Sequence, residues 1–281
     1  MTAARFGWLV SYPKSGNTWL RMMLSSLQSG GKPVDINALQ DDSSVATFAE
    51  VDELFGLEAS ELTGEEIADL RPALCAALAA DADGGLLLRK VHDRFWRTGA
   101  GEAAFPPQIS QGAVYLVRDP RDVAVSFSHH RGTAIDRTIE FMANDGAFMA
   151  DAASGAKIQL PQPLGSWSGH VLSWLDQTSL SPLVIRYEDM LRDPHGLLAQ
   201  VASHLGIVVT DAMLDSAVAA TRFETLAGQE RIRGFRERQS ESTDVFFRIG
   251  HAGGWRDRLS SAQARAITER HGAVMDRLGY L

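Results

Sequence analysis

Only four of the 27 basic residues in this 281-residue chain are lysines, and two of the four lie in patterns that could do chemistry. Lys14 stands in Tyr12-Pro13-Lys14-Ser15-Gly16-Asn17-Thr18-Trp19, where small and hydroxylated residues surround a compact, mobile ammonium. Such a loop suits an anionic group. Lys90 stands two residues before His92, an imidazole able to accept a proton from a hydroxyl near neutral pH. Arg118 opens Arg118-Asp119-Pro120-Arg121-Asp122, with Ser126 eight residues on. A guanidinium can grip a phosphate with two parallel hydrogen bonds, and a hydroxyl can complete its shell.

Certain elements must hold these residues. The apolar run Trp8-Leu9-Val10 reads as a buried strand, and Pro13 breaks it. Leu20, Met23, Leu24 and Leu27 then recur at helical spacing until Gly30-Gly31 stops them. Strand, tight loop and helix N-terminus together aim backbone N–H groups and the positive end of a helix dipole at one spot. The nucleotide-binding pattern G-x-x-x-x-G-K-[ST] is excluded, because Pro13 precedes Lys14 and the glycine follows it. A second strand over 86–92 puts Lys90 and His92 on one face by alternation. A third, Ala113-Val114-Tyr115-Leu116-Val117, feeds a helix whose first turn suits Pro120 and Asp122; a fourth, Leu183-Val184-Ile185-Arg186-Tyr187, precedes a helix capped at Asp193-Pro194. From these patterns alone, an ordinary strand-to-helix turn, a surface histidine and a capped helix remain open beside a functional site.

In sequence order these stretches resemble the sulfotransferases that use 3′-phosphoadenosine-5′-phosphosulfate (PAPS). The loop 12–19 is similar to that family's 5′-phosphosulfate loop. The resemblance implies that Lys14 contacts the phosphosulfate, that Ser15, Gly16, Asn17 and Thr18 hold the 5′-phosphate, and that Trp19 stacks on adenine. Lys90-Val91-His92 resembles the Lys-Thr-His element, with Val91 in place of threonine. This implies that His92 is the catalytic base, with Lys90 beside it. Arg118 and Ser126 match the 3′-phosphate element. Tyr187, in Tyr-Glu-Asp-Met, and Thr221 with Phe223, in Thr-x-Phe, match nucleotide contacts. Phe247-Arg248-Ile249-Gly250-His251-Ala252-Gly253-Gly254-Trp255 resembles the closing loop Arg-Lys-Gly-x-x-Gly-Asp-Trp, and so assigns Arg248 and Gly250 to the nucleotide. Ile249 stands where lysine is usual and Gly254 where aspartate is usual, which removes one cation and a loop-fixing carboxylate. Gly165-Ser166-Trp167, followed by His170 and Val171, resembles the stretch where the acceptor is approached.

The expected fold is α/β, a single domain over 1–281 with a central, mainly parallel sheet flanked by helices. The expected activity is transfer of the sulfuryl group from PAPS to a hydroxyl of a small-molecule acceptor, without a metal. The form of the Lys14 loop is most similar to bacterial enzymes that tailor secondary metabolites such as glycopeptide antibiotics. The alternatives are an ATP-dependent small-molecule kinase of related fold, which would want the missing phosphate-loop pattern, and an inactive nucleotide-binding module, which His92 and Lys14 disfavour.

A formal charge of −8 argues against nucleic acid or an anionic membrane as partner. The resemblance leaves room for a homodimer. No long apolar run or secretion signal is expected, and the single Cys75 fits a packed thiol in a reducing, cytoplasmic setting. Pro72 marks an expected kink or boundary in the helical stretch 33–80. Two segments, 152–163 and 228–254, lack the apolar periodicity to be held by a core and are expected to be mobile without ligand; the second holds most of the seven arginines found in 231–258.

Overall fold

The computed structural model describes residues 4–39, 47–149, 159–237, 245–248 and 250–281. Its elements follow in the order β1 (Arg5–Ser11), α1 (Asn17–Gln28), α2 (Phe48–Phe55), α3 (Gly64–Asp81), β2 (Leu86–Val91), β3 (Ser110–Val117), α4 (Pro120–Arg131), α5 (Ile135–Met142), β4 (Phe148–Met149), β5 (Gln162–Pro163), α6 (Trp167–Asp176), β6 (Leu183–Arg186), α7 (Tyr187–Arg192), α8 (Pro194–His204), α9 (Asp211–Ala220), α10 (Phe223–Arg233) and α11 (Ser261–Arg277). The fold is α/β. A four-stranded sheet runs β2-β1-β3-β6, and β1 pairs with β2 in parallel, Arg5 opposite Leu86 and Val10 opposite Val91. The chain divides into two compact units, the first drawn from Met1–Tyr12, Asp41–Tyr115 and Asn144–Leu183, the second from Pro13–Gln40, Leu116–Ala143 and Val184–Leu281.

The first unit is organised by aromatic packing along the sheet. Phe6 stacks on Trp8 at 4.4 Å, Phe105 meets Trp8 edge-on at 5.2 Å, and Trp174 of α6 lies 4.9 Å from Phe105. A second apolar cluster joins α2 and α3 through Phe48, Val51, Ile67 and Leu74. Both helices begin in capping boxes, Thr47 with Glu50 and Thr63 with Glu66. Helix α3 runs on through Pro72, which therefore marks no boundary. The buried face of Ile67, Arg71, Leu74, Cys75 and Ala79 outweighs the roughly 3 kcal/mol that an interior proline costs. Cys75 is fully buried and its thiol is pushed up to about 12 by burial, so it is packing and no nucleophile. Strands β4 and β5 form a short antiparallel pair that sequence pattern did not suggest.

In the second unit α1 packs on α8 and α9, and α4 on α5 and α11. Asp119 caps α4 with Pro120 in its first turn, and Asp193 caps α8 with Pro194 likewise, as local sequence anticipates. The expectation of a loose stretch from residue 228 is corrected. Gly228 lies inside α10, and Phe235, Phe246 and Phe247 pack with Met22, Ile36 and Leu226. These phenylalanines reach the core from irregular backbone, where no period betrays them. Residues 238–244 and Ile249 lie outside the described residues, as does most of the other segment, 150–158.

Candidate active site

The loop after β1 is shaped by two left-handed residues. Lys14 has φ 68° and Gly16 has φ 102°. A non-glycine residue in that region costs of order 1–3 kcal/mol and persists where its surroundings demand it. Gly16 is required twice over, since a Cβ there would lie 2.6 Å from the Tyr187 ring. As N-cap of α1 it has no side chain to accept from the first-turn amides, and its carbonyl accepts the Trp19 amide at 3.0 Å. The Ser15 hydroxyl is fully buried and has no hydrogen-bond partner among the described residues. Asn17 and Thr18 are buried beside it.

Arg118, one residue past β3, braces this loop. Its Nη1 donates to the Lys14 carbonyl at 3.2 Å, its Nη2 to the His251 carbonyl at 3.4 Å, and its guanidinium lies over Tyr187 at 4.4 Å. Tyr187 also meets Trp19 edge-on at 6.3 Å. The Trp19 indole donates to the Thr221 carbonyl, while the Thr221 hydroxyl turns back to the Ala217 carbonyl at 2.8 Å. What Thr221 offers here is thus its backbone. Ser126 lies half-buried on α4.

Arg248 is half-buried, and like charges act on it. Burial first, then the like charges of Arg258 and Arg118, hold its guanidinium below the usual arginine value. Arg118 itself lies 4.0 Å from the Asp122 carboxylate, whereas only like charges and burial act on Arg248 to shift it. Gly250 has φ 66°, and a Cβ there would lie 2.4 Å from the Phe223 ring, so backbone and ring are in direct contact. Beyond it, the Asp122 carboxylate accepts the N–H groups of Gly253 at 2.6 Å and Trp255 at 2.9 Å. Asp122 supplies a loop-fixing carboxylate even though position 254 is glycine. A Cβ at Gly254 would already be 4.0 Å from Asp122 Oδ1, so an aspartate there would meet a like charge.

Two further side chains touch the loop. The Lys14 ammonium sits 3.9 Å over the Phe246 ring, and Glu230 fixes that phenylalanine by accepting the Phe246 and Phe247 amides at 2.6 and 2.9 Å. The Glu237 carboxylate accepts from Thr18 Oγ1 at 3.0 Å and from Arg21 at 2.5 Å.

In the other unit, His92 follows β2 directly and is half-buried. Its Nδ1 lies 2.7 Å from the Ser11 carbonyl. A carbonyl can only accept, so Nδ1 carries the proton and the basic lone pair resides on Nε2. Lys90, on β2, lies opposite Leu9 of β1. Among the described residues no group of three His, Cys, Asp or Glu is placed to hold a metal, and no helix is long and apolar enough to cross a membrane.

The sulfotransferase-domain profile matches residues 7–279, almost the whole chain. The chain belongs to the sulfotransferase family. Among curated relatives of this chain, luciferin sulfotransferase of Photinus pyralis is 24% identical over 242 residues, 80% of this chain but only 57% of the relative's length. Sulfotransferase 2A6 of Rattus norvegicus is 24% identical over 92% of this chain and 80% of its own. Among solved structures, mouse sulfotransferase SULT7A1 complexed with PAP (3′-phosphoadenosine-5′-phosphate) aligns with TM-score 0.59 at 21% identity, covering 96% of this chain and 84% of that one. Retinol dehydratase in complex with retinol and PAP aligns with TM-score 0.58 at 18% identity, over 98% and 82%. These likenesses show the fold, an α/β chain with a central parallel sheet flanked by helices.

Lys14–Trp19, Arg118, Ser126, Tyr187, Thr221, Phe223, Arg248 and Gly250 all lie in the second unit, whereas His92 and Lys90 lie in the first. Sequence does not mark Arg258, Asp122, Phe246 or Glu237 as neighbours of these residues. Only the excess of arginine in 231–258 hinted at Arg258; nothing local marked the other three.

Proposed function

We propose that this sulfotransferase transfers the sulfuryl group of PAPS to a hydroxyl of a small-molecule acceptor, and that residues 1–281 work as one domain to do so. The observation that carries the reading is the half-buried Arg248 under the like charges of Arg258 and Arg118, which a bound phosphate would offset. The buried, unpartnered Ser15 hydroxyl and the uncapped first turn of α1 fit a second anionic group. PAPS carries both, a 3′-phosphate and a 5′-phosphosulfate, and when bound it supplies an activated sulfuryl group. Arg118, Ser126, Arg248 and the Gly250 amide hold the 3′-phosphate; Lys14 to Thr18 hold the 5′ end; Trp19, Tyr187, Thr221 and Phe223 enclose the base.

In this reading His92 Nε2 removes the acceptor's hydroxyl proton as the oxygen attacks sulfur. Lys14, assisted by Lys90, neutralises charge on the departing phosphate oxygen, so positioning and electrostatics lower the barrier. The products are the sulfated acceptor, PAP and a proton on His92. Complexes of structural neighbours with retinol and androsterone support an acceptor of small-molecule size. The Lys14 loop sequence favours a secondary metabolite of the glycopeptide-antibiotic kind, and a single cysteine, which allows no internal disulfide, suits a cytoplasmic enzyme.

Calorimetry with PAP and with ATP, each with and without Mg²⁺, tests the donor, and labelled PAPS against a panel of phenols, sterols and glycopeptides tests the acceptor. PAP should bind without Mg²⁺ and more tightly than ATP. Preference for Mg-ATP would overturn the reading in favour of a kinase.

A further inference from the structure

His170 resembles, by sequence, part of the acceptor-binding stretch, yet it is fully buried and both its ring nitrogens are engaged. Nε2 lies 3.1 Å from the His92 carbonyl and Nδ1 lies 2.7 Å from the Tyr115 hydroxyl. Since the carbonyl can only accept, Nε2 carries the proton. Nδ1 must then accept from Tyr115. One neutral tautomer satisfies every partner, and burial holds the ring neutral by pushing its pKa down to about 3.

The same face of α6 holds the residues that follow. Trp174 Nε1 donates to the Asp93 carbonyl at 2.9 Å, and Ser173 Oγ accepts the Phe95 amide at 2.9 Å while donating to the His170 carbonyl at 2.8 Å. The Arg94 amide donates to the Pro163 carbonyl at 2.8 Å. Residues 92–95 lie beyond the end of β2, so their polar backbone groups have no sheet ladder and need these partners. His170, Ser173 and Trp174 fall at i, i+3 and i+4, on one side of the helix.

We propose that His170 is a positioning residue for the transfer reaction: held by Tyr115, it fixes the backbone of His92 so that the His92 ring keeps its Nδ1 hydrogen bond to Ser11 and presents Nε2 as base. The inference rests on the reading of His92 as the base. A fall of roughly 10²-fold in rate is what a displacement of about 1 Å costs a reacting group. His170→Gln keeps an N–H donor toward the His92 carbonyl; His170→Leu removes it.

Nitrogen-15 imidazole spectra of the PAP-bound protein and turnover of the best acceptor in the panel test this, with Val171→Ala, another fully buried position on α6, as the control for general destabilisation. Wild type and His170→Gln should show His92 as a single Nδ1–H tautomer. His170→Leu should show a tautomer mixture, with kcat reduced roughly 10²-fold and PAP affinity retained. Val171→Ala should lower thermal stability and leave the tautomer intact. If His170→Leu does not fold, Tyr115→Phe, which removes the hydroxyl donor to Nδ1, should produce the same tautomer change in weaker form. A single His92 tautomer in both His170→Leu and Tyr115→Phe, or a loss that His170→Gln does not restore, overturns the proposal. A tautomer that follows His170 in a protein whose turnover does not need His92 overturns the base assignment and leaves the positioning intact.

Discussion

Replacing Arg248 by alanine separates a dedicated 3′-phosphate site from a merely basic surface. Arg248 is partly buried, and no acid is among the causes of its lowered pKa, which after burial are the like charges of Arg258 and Arg118. Arg118→Ala would be a poorer probe, because Arg118 also donates to the Lys14 carbonyl and lies over Tyr187, so its loss would disturb the 5′ loop as well. Removing one partner of a buried, hydrogen-bonded charge pair costs about 2–5 kcal/mol. Partial exposure of Arg248 places it at the lower end, about 2–3 kcal/mol, because solvent screens the pair. That is a loss of roughly 30- to 150-fold in PAP affinity. Adenosine 5′-phosphate, which lacks the 3′ group, should bind as before. The free protein should be no less stable, since a like charge has been taken out of the cluster. Titration calorimetry with both nucleotides and thermal melts of the free protein measure these quantities. Equal losses for the two nucleotides, or a clear drop in the stability of the free protein, would refute the reasoning and make Arg248 a structural residue.

His92→Ala should reduce turnover by about 10²- to 10⁴-fold with PAP affinity unchanged, and near-normal turnover would remove His92 from the chemistry. Gly16→Ala forces a side chain into a left-handed position and to within 2.6 Å of Tyr187, so PAP binding should weaken sharply while Gly30→Ala, with nothing within 4 Å, should only cost modest stability. The pH dependence of folding should carry the signature of His170. Its folded pKa of about 3 lies below the value of about 6.5 expected when unfolded, so the unfolded chain binds the extra proton and stability falls as pH drops through that window. The contribution between pH 7 and pH 5 is roughly 2 kcal/mol, and urea unfolding of His170→Gln should lack it. Asp93, whose carboxyl is pushed up to about 6 by burial beside Arg71, acts in the opposite sense between about pH 4 and 6; it is common to both proteins and cancels in the comparison. Identical pH profiles would show that His170 is not held neutral.

Sequence by itself determined the parts of this protein that are local. The apolar run before Pro13 and the helical spacing after it made β1, the loop and α1 legible, and Pro120 and Asp193 with Pro194 announced their helices, because each signal acts within one turn of chain. The order of short motifs also pointed to the family. What only the tertiary structure decided are relations between distant residues on irregular backbone. Pro72 stays inside a helix because of what its neighbours bury. Phe235, Phe246 and Phe247 form core without any period, so the segment that carries them read as loose. Asp122 takes the loop amides for which sequence offered no carboxylate, and the charge of Arg258 reaches Arg248 although ten residues of chain separate them. His170 shows the limit most plainly: its neighbours in sequence suggested a contact with the acceptor, whereas its hydrogen bonds to His92 and Tyr115 close only when three separate stretches of chain are packed together. A periodic pattern records which face of an element is buried, but the partner of a polar group across the fold leaves no periodic trace.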